Sequence, residues 1–267
     1  MLYGICNLPI IPVRADVGNK SEIISQLLFG ETFKILDKKE NHLFIQMAYD
    51  GYEGWIDARQ QEELNETDFR SLNEEEQHIA DLSTHAMLLK LGREESLHLL
   101  PGSTLPFLDD DSFCIKDTDY LFLGLSRLPD IDGFEQEAEE VLRFYLNAPY
   151  LWGGRSVFGI DCSGYVQLFY KHFGIRMKRD AWQQAEQGVV VDFLQEAKLG
   201  DLAFFDNDEG SIIHVGILLN EAEIIHASGR VKIDQIDNTG IFSKEENRYT
   251  HKLRIVKRIV GAEGKIS

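Results

Sequence analysis

The stretch Pro149-Tyr150-Leu151-Trp152-Gly153-Gly154, followed after a short loop by Gly159-Ile160-Asp161-Cys162-Ser163-Gly164, constrains this chain more than any other. Behind it Tyr165, Val166, Phe169 and Phe173 recur at helical spacing. Asp161 is placed to cap the start of that helix, and Gly174 to end it in a left-handed conformation. Cys162 therefore falls in the first turn. There the unpaired backbone N–H groups and the positive end of the helix dipole are expected to favour a thiolate over a thiol. Gly159 and Gly164 leave the approach to the sulfur uncluttered. A cysteine packed inertly on a sheet is the plainer reading of one such residue. A nucleophile needs a base, and the rest of the chain has to supply it.

Of the eight histidines, His42, His78, His85, His98, His172 and His251 stand in polar or unremarkable surroundings and read as surface or half-buried residues. His214 and His226 differ, because each interrupts an apolar strand-like run. They are an even number of residues apart. A connection of odd length, or one bulge, puts both on the same face of a sheet. His214 would then pair with the Cys162 sulfur, and His226 would hold the far nitrogen of the His214 ring and fix its tautomer.

Charge and cysteine usage narrow the chemistry. A net charge of −18 over 267 residues disfavours nucleic acid, anionic lipid or any polyanion as partner. A small soluble substrate is expected instead. Cys6, Cys114 and Cys162 are odd in number, far apart and without a C-x-x-C pair. Neither a disulfide framework nor a zinc site is expected, and a reducing compartment fits. The first residues lack a basic leader pattern, and no apolar run reaches membrane-spanning length. The expectation is a cytoplasmic protein that uses no metal and no cofactor.

In chain order, residues 1–62 carry short β-like runs at Ile10–Val13, Phe33–Leu36, Leu43–Met47 and Gly54–Ile56, with a hairpin signal at Asp50-Gly51. The polar stretch from Gln60 to Gln77 reads as a solvated connector or a short surface helix. The decamer Leu28–Asp37 then aligns with Leu100–Asp109, sharing leucine, glycine, threonine, leucine and aspartate. This repeat predicts two small barrels in tandem, over 1–62 and, with the connector, 63–130. From 131 to 267 a helix over 134–147, the Cys162 helix and a run of strands predict an α+β domain.

Four motifs now fall in order: Asp161-Cys162-Ser163-Gly164, Gly200-Asp201-Leu202-Ala203-Phe204-Phe205, His214-Val215-Gly216-Ile217 and His226-Ala227-Ser228-Gly229. Together they resemble the signature of the NlpC/p60 cysteine peptidases, over roughly residues 134–260. The front of the chain resembles the bacterial SH3-like (SH3b) domains that precede such catalytic domains. The resemblance implies a papain-like α+β catalytic domain behind two SH3-like β-barrels, with Cys162, His214 and His226 as catalytic residues. It implies cleavage of the γ-D-Glu–diamino acid bond in small murein peptides with a free N-terminal L-Ala. Tyr150 and Trp152 would line the site, with Asp161 and Ser163 beside the nucleophile. Asp161 would bind the substrate amine as well as cap the helix. Glu22 and Tyr52, on loops of the first barrel, would receive the ammonium group and close the cleft. One departure stands out: family members often carry Ser or Thr after the Arg-Asp pair, whereas Arg179-Asp180 is followed here by Ala181-Trp182. Three rival readings share these residues. They are a hydrolase remodelling intact cell wall, an acyltransferase on the same scaffold, and a non-catalytic wall-peptide binding protein.

Overall fold

The computed structural model describes residues 2–261. Two compact units emerge: one runs to Pro129 and takes up Gly153–Ser156, and the other holds Asp130–Trp152 and the chain from Val157 onward.

The first unit opens with a seven-stranded antiparallel sheet. Its spatial order is Ile23–Leu28, Ile10–Arg14, Glu53–Asp57, His42–Met47, Thr32–Lys39, Leu2–Ile5 and Glu62–Leu64. Alternation sets the faces: along His42–Met47 the side chains of Leu43, Ile45 and Met47 are buried and their neighbours are half-exposed. These three meet Ile11, Val13, Phe33 and Ile56 in a common core. The Asp50-Gly51 signal is a tight connection between paired strands. Gly51 takes φ 79°, and the Asp50 carboxylate accepts the Tyr52 N–H at 2.9 Å.

The repeated decamers turn alike. Gly30 and Gly102 occupy the same place in each copy and have φ 78° and 81°. They lie against one another: Thr104 N–H donates to the Phe29 carbonyl at 2.8 Å, and a Cβ on Gly30 would stand 2.1 Å from the Thr104 oxygen. Strand pairing repeats as well. Leu2–Ile5 with Thr32–Lys39 is matched by His78–Ala80 with Thr104–Leu105, and Ile10–Arg14 between its two partners is matched by Met87–Lys90 between Glu95–His98 and Thr118–Leu123. The ladder between Thr32–Lys39 and His42–Met47 has no counterpart between Thr104–Leu105 and Ser112–Ile115, so the second copy divides into a three-stranded and a four-stranded sheet. In neither copy are the outermost strands paired into a closed barrel among the described residues.

Of the two readings of the polar stretch, a solvated connector or a short surface helix, the structure takes the helix and buries one face of it. Asn65 caps a helix over Glu66–Glu74, and that helix buries Phe69 and Leu72. Both join Tyr3, Ile5 and Phe29 in one core with Leu88, Leu105 and Phe122. High polarity hid two anchors one turn apart. The inserted Gly153–Ser156 is held by Arg155, whose guanidinium forks onto the Glu31 carboxylate at 2.8 and 3.0 Å.

In the second unit, helices Phe134–Phe144 and Cys162–His172 pack through aromatic edges, with Phe134 and Phe169 ring centroids 5.7 Å apart. The sheet runs Val189–Val191, Arg248–Arg258, Leu202–Asp206, Ile212–Leu218, Glu223–Ser228, Arg230–Ile236, Gly240–Ser243, and the last of these returns to pair with Arg248–Arg258. The Cys162 helix lies on the Ile212–Leu218 and Glu223–Ser228 strands. This is a mixed α+β fold behind a β-rich N-terminal region.

Candidate active site

Asp161 starts the Cys162 helix as the sequence suggests. It sits in extended backbone and its carboxylate accepts the Gly164 N–H at 2.7 Å. Gly174 ends the helix at φ 76°. Cys162 is buried in the first turn, with the backbone N–H groups of Val215 and Ser163 directed at its sulfur. Val215 is the neighbour of His214, so the sulfur lies against the strand that carries that histidine.

Leu218 pairs with Ile224 and Ile217 with Ile225, so the connection is of odd length and even-numbered positions share a face. His214 and His226 accordingly meet, with Nε2 of the first 2.9 Å from Nδ1 of the second. Gly216 makes room for this contact, since a Cβ there would come within 2.9 Å of His226 Cβ. Beyond His226 the chain of contacts continues: its Nε2 lies 3.1 Å from Asp234 Oδ2. Tyr150 is laced into the same region. Its N–H donates to the Gly229 carbonyl at 3.0 Å and it bridges to Ile160, just ahead of Cys162. Burial, then the charges of Cys162 and Asp161, push the Tyr150 phenol up to about 12. Trp152 is exposed in this unit. Glu22, exposed, and Tyr52, half-buried, belong to the other unit.

The electrostatics correct one expectation. Burial, and after it the Asp161 carboxylate, push the Cys162 thiol up to about 12, outweighing the backbone N–H groups and the Arg179 charge. Burial, followed by the neighbouring His226 and His251, holds the His214 imidazole well below its usual range. At neutral pH the free site holds a thiol and a neutral imidazole. Because only the thiolate is alkylated, labelling should rise with pH toward that value. Iodoacetamide labelling of Cys162, separated from Cys6 and Cys114 by peptide mapping, is expected to climb through pH 7–10 without levelling. A plateau near neutrality would restore a preformed thiolate.

Three participants escaped the sequence reading. Arg179, buried, forks onto Asp161 at 3.1 and 2.5 Å and donates to the Ser163 hydroxyl at 2.8 Å. Asp161 is thus a helix cap neutralised by a guanidinium, and Ser163 is held by the same group. Asp234 had a usable signal, because the Gly229 turn pairs His226 with Lys232 and so places even-numbered residues of the next strand on the histidine face. His251 had none. It reaches the site because the long last strand crosses back, and its ring stacks on His214 at 4.2 Å and 24°. One ring nitrogen from each of His214, His226 and His251 lies within 4.8 Å of the other two. The His214 and His251 rings stack nearly parallel, whereas a metal bound at about 2.0–2.1 Å lies near the plane of each ring that ligates it. Ala181, at the departure noted above, is buried at the start of the short helix Ala181–Gln184, and Trp182 is exposed.

A cysteine at a helix start, set against an antiparallel sheet bearing a histidine chain, is an arrangement of the cysteine-peptidase kind. Residues 147–250 match the NlpC/P60 family, and residues 13–60 match the bacterial dipeptidyl-peptidase Sh3 domain. A γ-D-glutamyl-L-lysine dipeptidyl-peptidase of Bacillus subtilis is 30% identical over 92% of this chain and 84% of its own. A protein of the same description from Bacillus cereus is 25% identical over 78% and 68%. The crystal structure of an NlpC/P60 family protein from Bacillus cereus superposes with a TM-score of 0.79 over 96% of this chain and 99% of that one, at 21% identity, which bears on the fold alone. The chain belongs to the NlpC/P60 family, as a peptidase homologous to the γ-D-glutamyl-L-lysine dipeptidyl-peptidases.

Proposed function

We propose that this protein is a cysteine peptidase that cleaves the γ-D-Glu–diamino acid bond of cell-wall peptides with a free N-terminal L-Ala, in the cytoplasm. The observation that carries the reading is the Cys162 helix start lying on the strands of the linked His214 and His226. The near full-length similarity to γ-D-glutamyl-L-lysine dipeptidyl-peptidases supports the substrate class. The two sheet systems of the first unit, with their shared pairing pattern, are read as SH3-like modules. The second is open where one ladder is missing.

In this reading His214 takes the Cys162 proton as the sulfur attacks the γ-glutamyl carbonyl, and His226 holds the imidazole. Coupling proton removal to attack suits a pair that rests neutral. The Cys162 backbone N–H and the Tyr150 hydroxyl, a phenol that stays protonated at neutral pH, receive the oxyanion. His214 then protonates the leaving amine, and water hydrolyses the thioester to release the dipeptide and restore the thiol.

A dipeptidyl-peptidase acts from a free amino end, which gives the test. L-Ala-γ-D-Glu-L-Lys, its meso-diaminopimelate counterpart and the N-acetylated forms of both are incubated with the protein and the products weighed. The free-amine peptides should yield L-Ala-γ-D-Glu, and the acetylated ones should persist. Equal cleavage of both would move the protein to the wall-remodelling reading.

A further inference from the structure

We propose that Asp234 is the positioning residue that sets the tautomers of both site histidines and so makes Nδ1 of His214 the base. The inference rests on the cysteine-peptidase reading and names the atom through which it works.

The argument follows donors and acceptors along the chain. Asp234 is buried on the strand after His226, and its Oδ2 lies 3.1 Å from His226 Nε2 and 3.2 Å from Lys232 Nζ. Lys232 is itself approached by Glu245 at 3.6 Å. Burial alone would raise the Asp234 carboxyl, but the hydrogen bonds and charges of His226 and Lys232 outweigh it and hold the group below its usual range. An ionised carboxylate only accepts, so His226 Nε2 must carry the proton in that contact. Burial, the larger effect, keeps His226 below its usual value despite Asp234, so at neutral pH the ring is neutral and has one N–H. Its Nδ1 is therefore an acceptor. The 2.9 Å contact then requires His214 Nε2 to donate. His214 is neutral too, which leaves its Nδ1 bare. One carboxylate fixes two protons, and the free lone pair ends up on the atom beyond them.

Asp234→Asn keeps the shape but permits the reverse chain. An asparagine amide can donate to His226 Nε2, His226 Nδ1–H then donates to His214 Nε2, and the base position becomes N–H. The expected result is a fall in kcat of roughly 10²- to 10⁴-fold with KM little changed. Long-range 1H–15N spectra of the histidines give a readout that loss of packing would not imitate. In the wild type both rings should show Nε2–H and bare Nδ1, and in the variant His214 should shift toward Nδ1–H. Wild-type rings protonated on Nδ1 would overturn the proposal even if the variant failed to fold. So would an Asp234→Asn enzyme within threefold of wild-type kcat, alongside inactive Cys162→Ala and His214→Ala variants, and the peptidase reading would then stand without it. Turnover surviving in Cys162→Ala would instead remove the peptidase reading, and the spectra would still decide the tautomers.

Discussion

Cys162→Ala is expected to lose turnover of the free-amine peptide entirely while unfolding within about 2–4 °C of the wild type. The removed sulfur is one atom of a buried residue, and deleting it costs on the order of 1 kcal/mol, which moves the midpoint of a chain this size by that amount. No neighbour can replace it. Ser163 is adjacent, but its hydroxyl accepts at 2.8 Å from the same Arg179 guanidinium that pairs with Asp161. His214→Ala should be as inactive as Cys162→Ala, because the thiol, held up by burial, then has no acceptor for its proton. On the proposed mechanism His226→Ala should be milder, since it removes an orienting group and leaves the base. Product release is measured by mass and folding by thermal denaturation of the same samples. Turnover by Cys162→Ala within tenfold of the wild type would remove Cys162 from the chemistry.

The parts of this architecture legible in the sequence were those encoded over short distances. Asp161 and Gly174 mark the ends of one helix because a cap and a left-handed turn are local demands. His214 and His226 stand out because a polar ring in an apolar strand is visible without any tertiary knowledge, and the parity of one connection brings them together. The Leu28 and Leu100 decamers reveal a repeat because each turn needs a left-handed glycine. What the sequence concealed depends on pairing between distant segments. His251 comes from the last strand, the Arg179 side chain reaches Asp161 from a loop after the Cys162 helix, and Phe69 and Leu72 hide in a stretch dominated by Glu and Asn. The thiol shows the limit of local reasoning most clearly. A helix start lowers a thiol's pKa when solvent screens its surroundings, but burial beside Asp161 reverses the sign.

Arg155→Ala should lower the stability of the first unit by about 3–5 kcal/mol, the cost of removing one partner from a buried ion pair. Arg155 is fully buried, and Glu31 is 5% exposed. The guanidinium meets both carboxylate oxygens and the Gln26 carbonyl, the last at 2.6 Å, while the Arg155 N–H donates to the Gln26 side chain at 2.7 Å. Burial by itself would lower the guanidinium's pKa; the Glu31 carboxylate outweighs that and holds it raised. Glu31 also accepts the Leu28 N–H at 3.0 Å, which ties the pair to the left-handed turn at Gly30. Truncating Arg155 deprives a buried carboxylate of its forked cation and a carbonyl of its donor. At roughly 2–4 °C per kcal/mol the transition should fall by about 6–20 °C in calorimetry of the full chain. Exposed pairs supply the contrast. Arg70 and Glu66 lie one helical turn apart in water, and Arg70→Ala should leave the transition nearly where it was. The double variant Arg155→Met with Glu31→Leu should recover much of the loss, because it removes the uncompensated charge along with the pair. A single variant as stable as the wild type would show that the pair does not hold this segment. A double variant less stable than either single would show that the lost packing outweighs the charge.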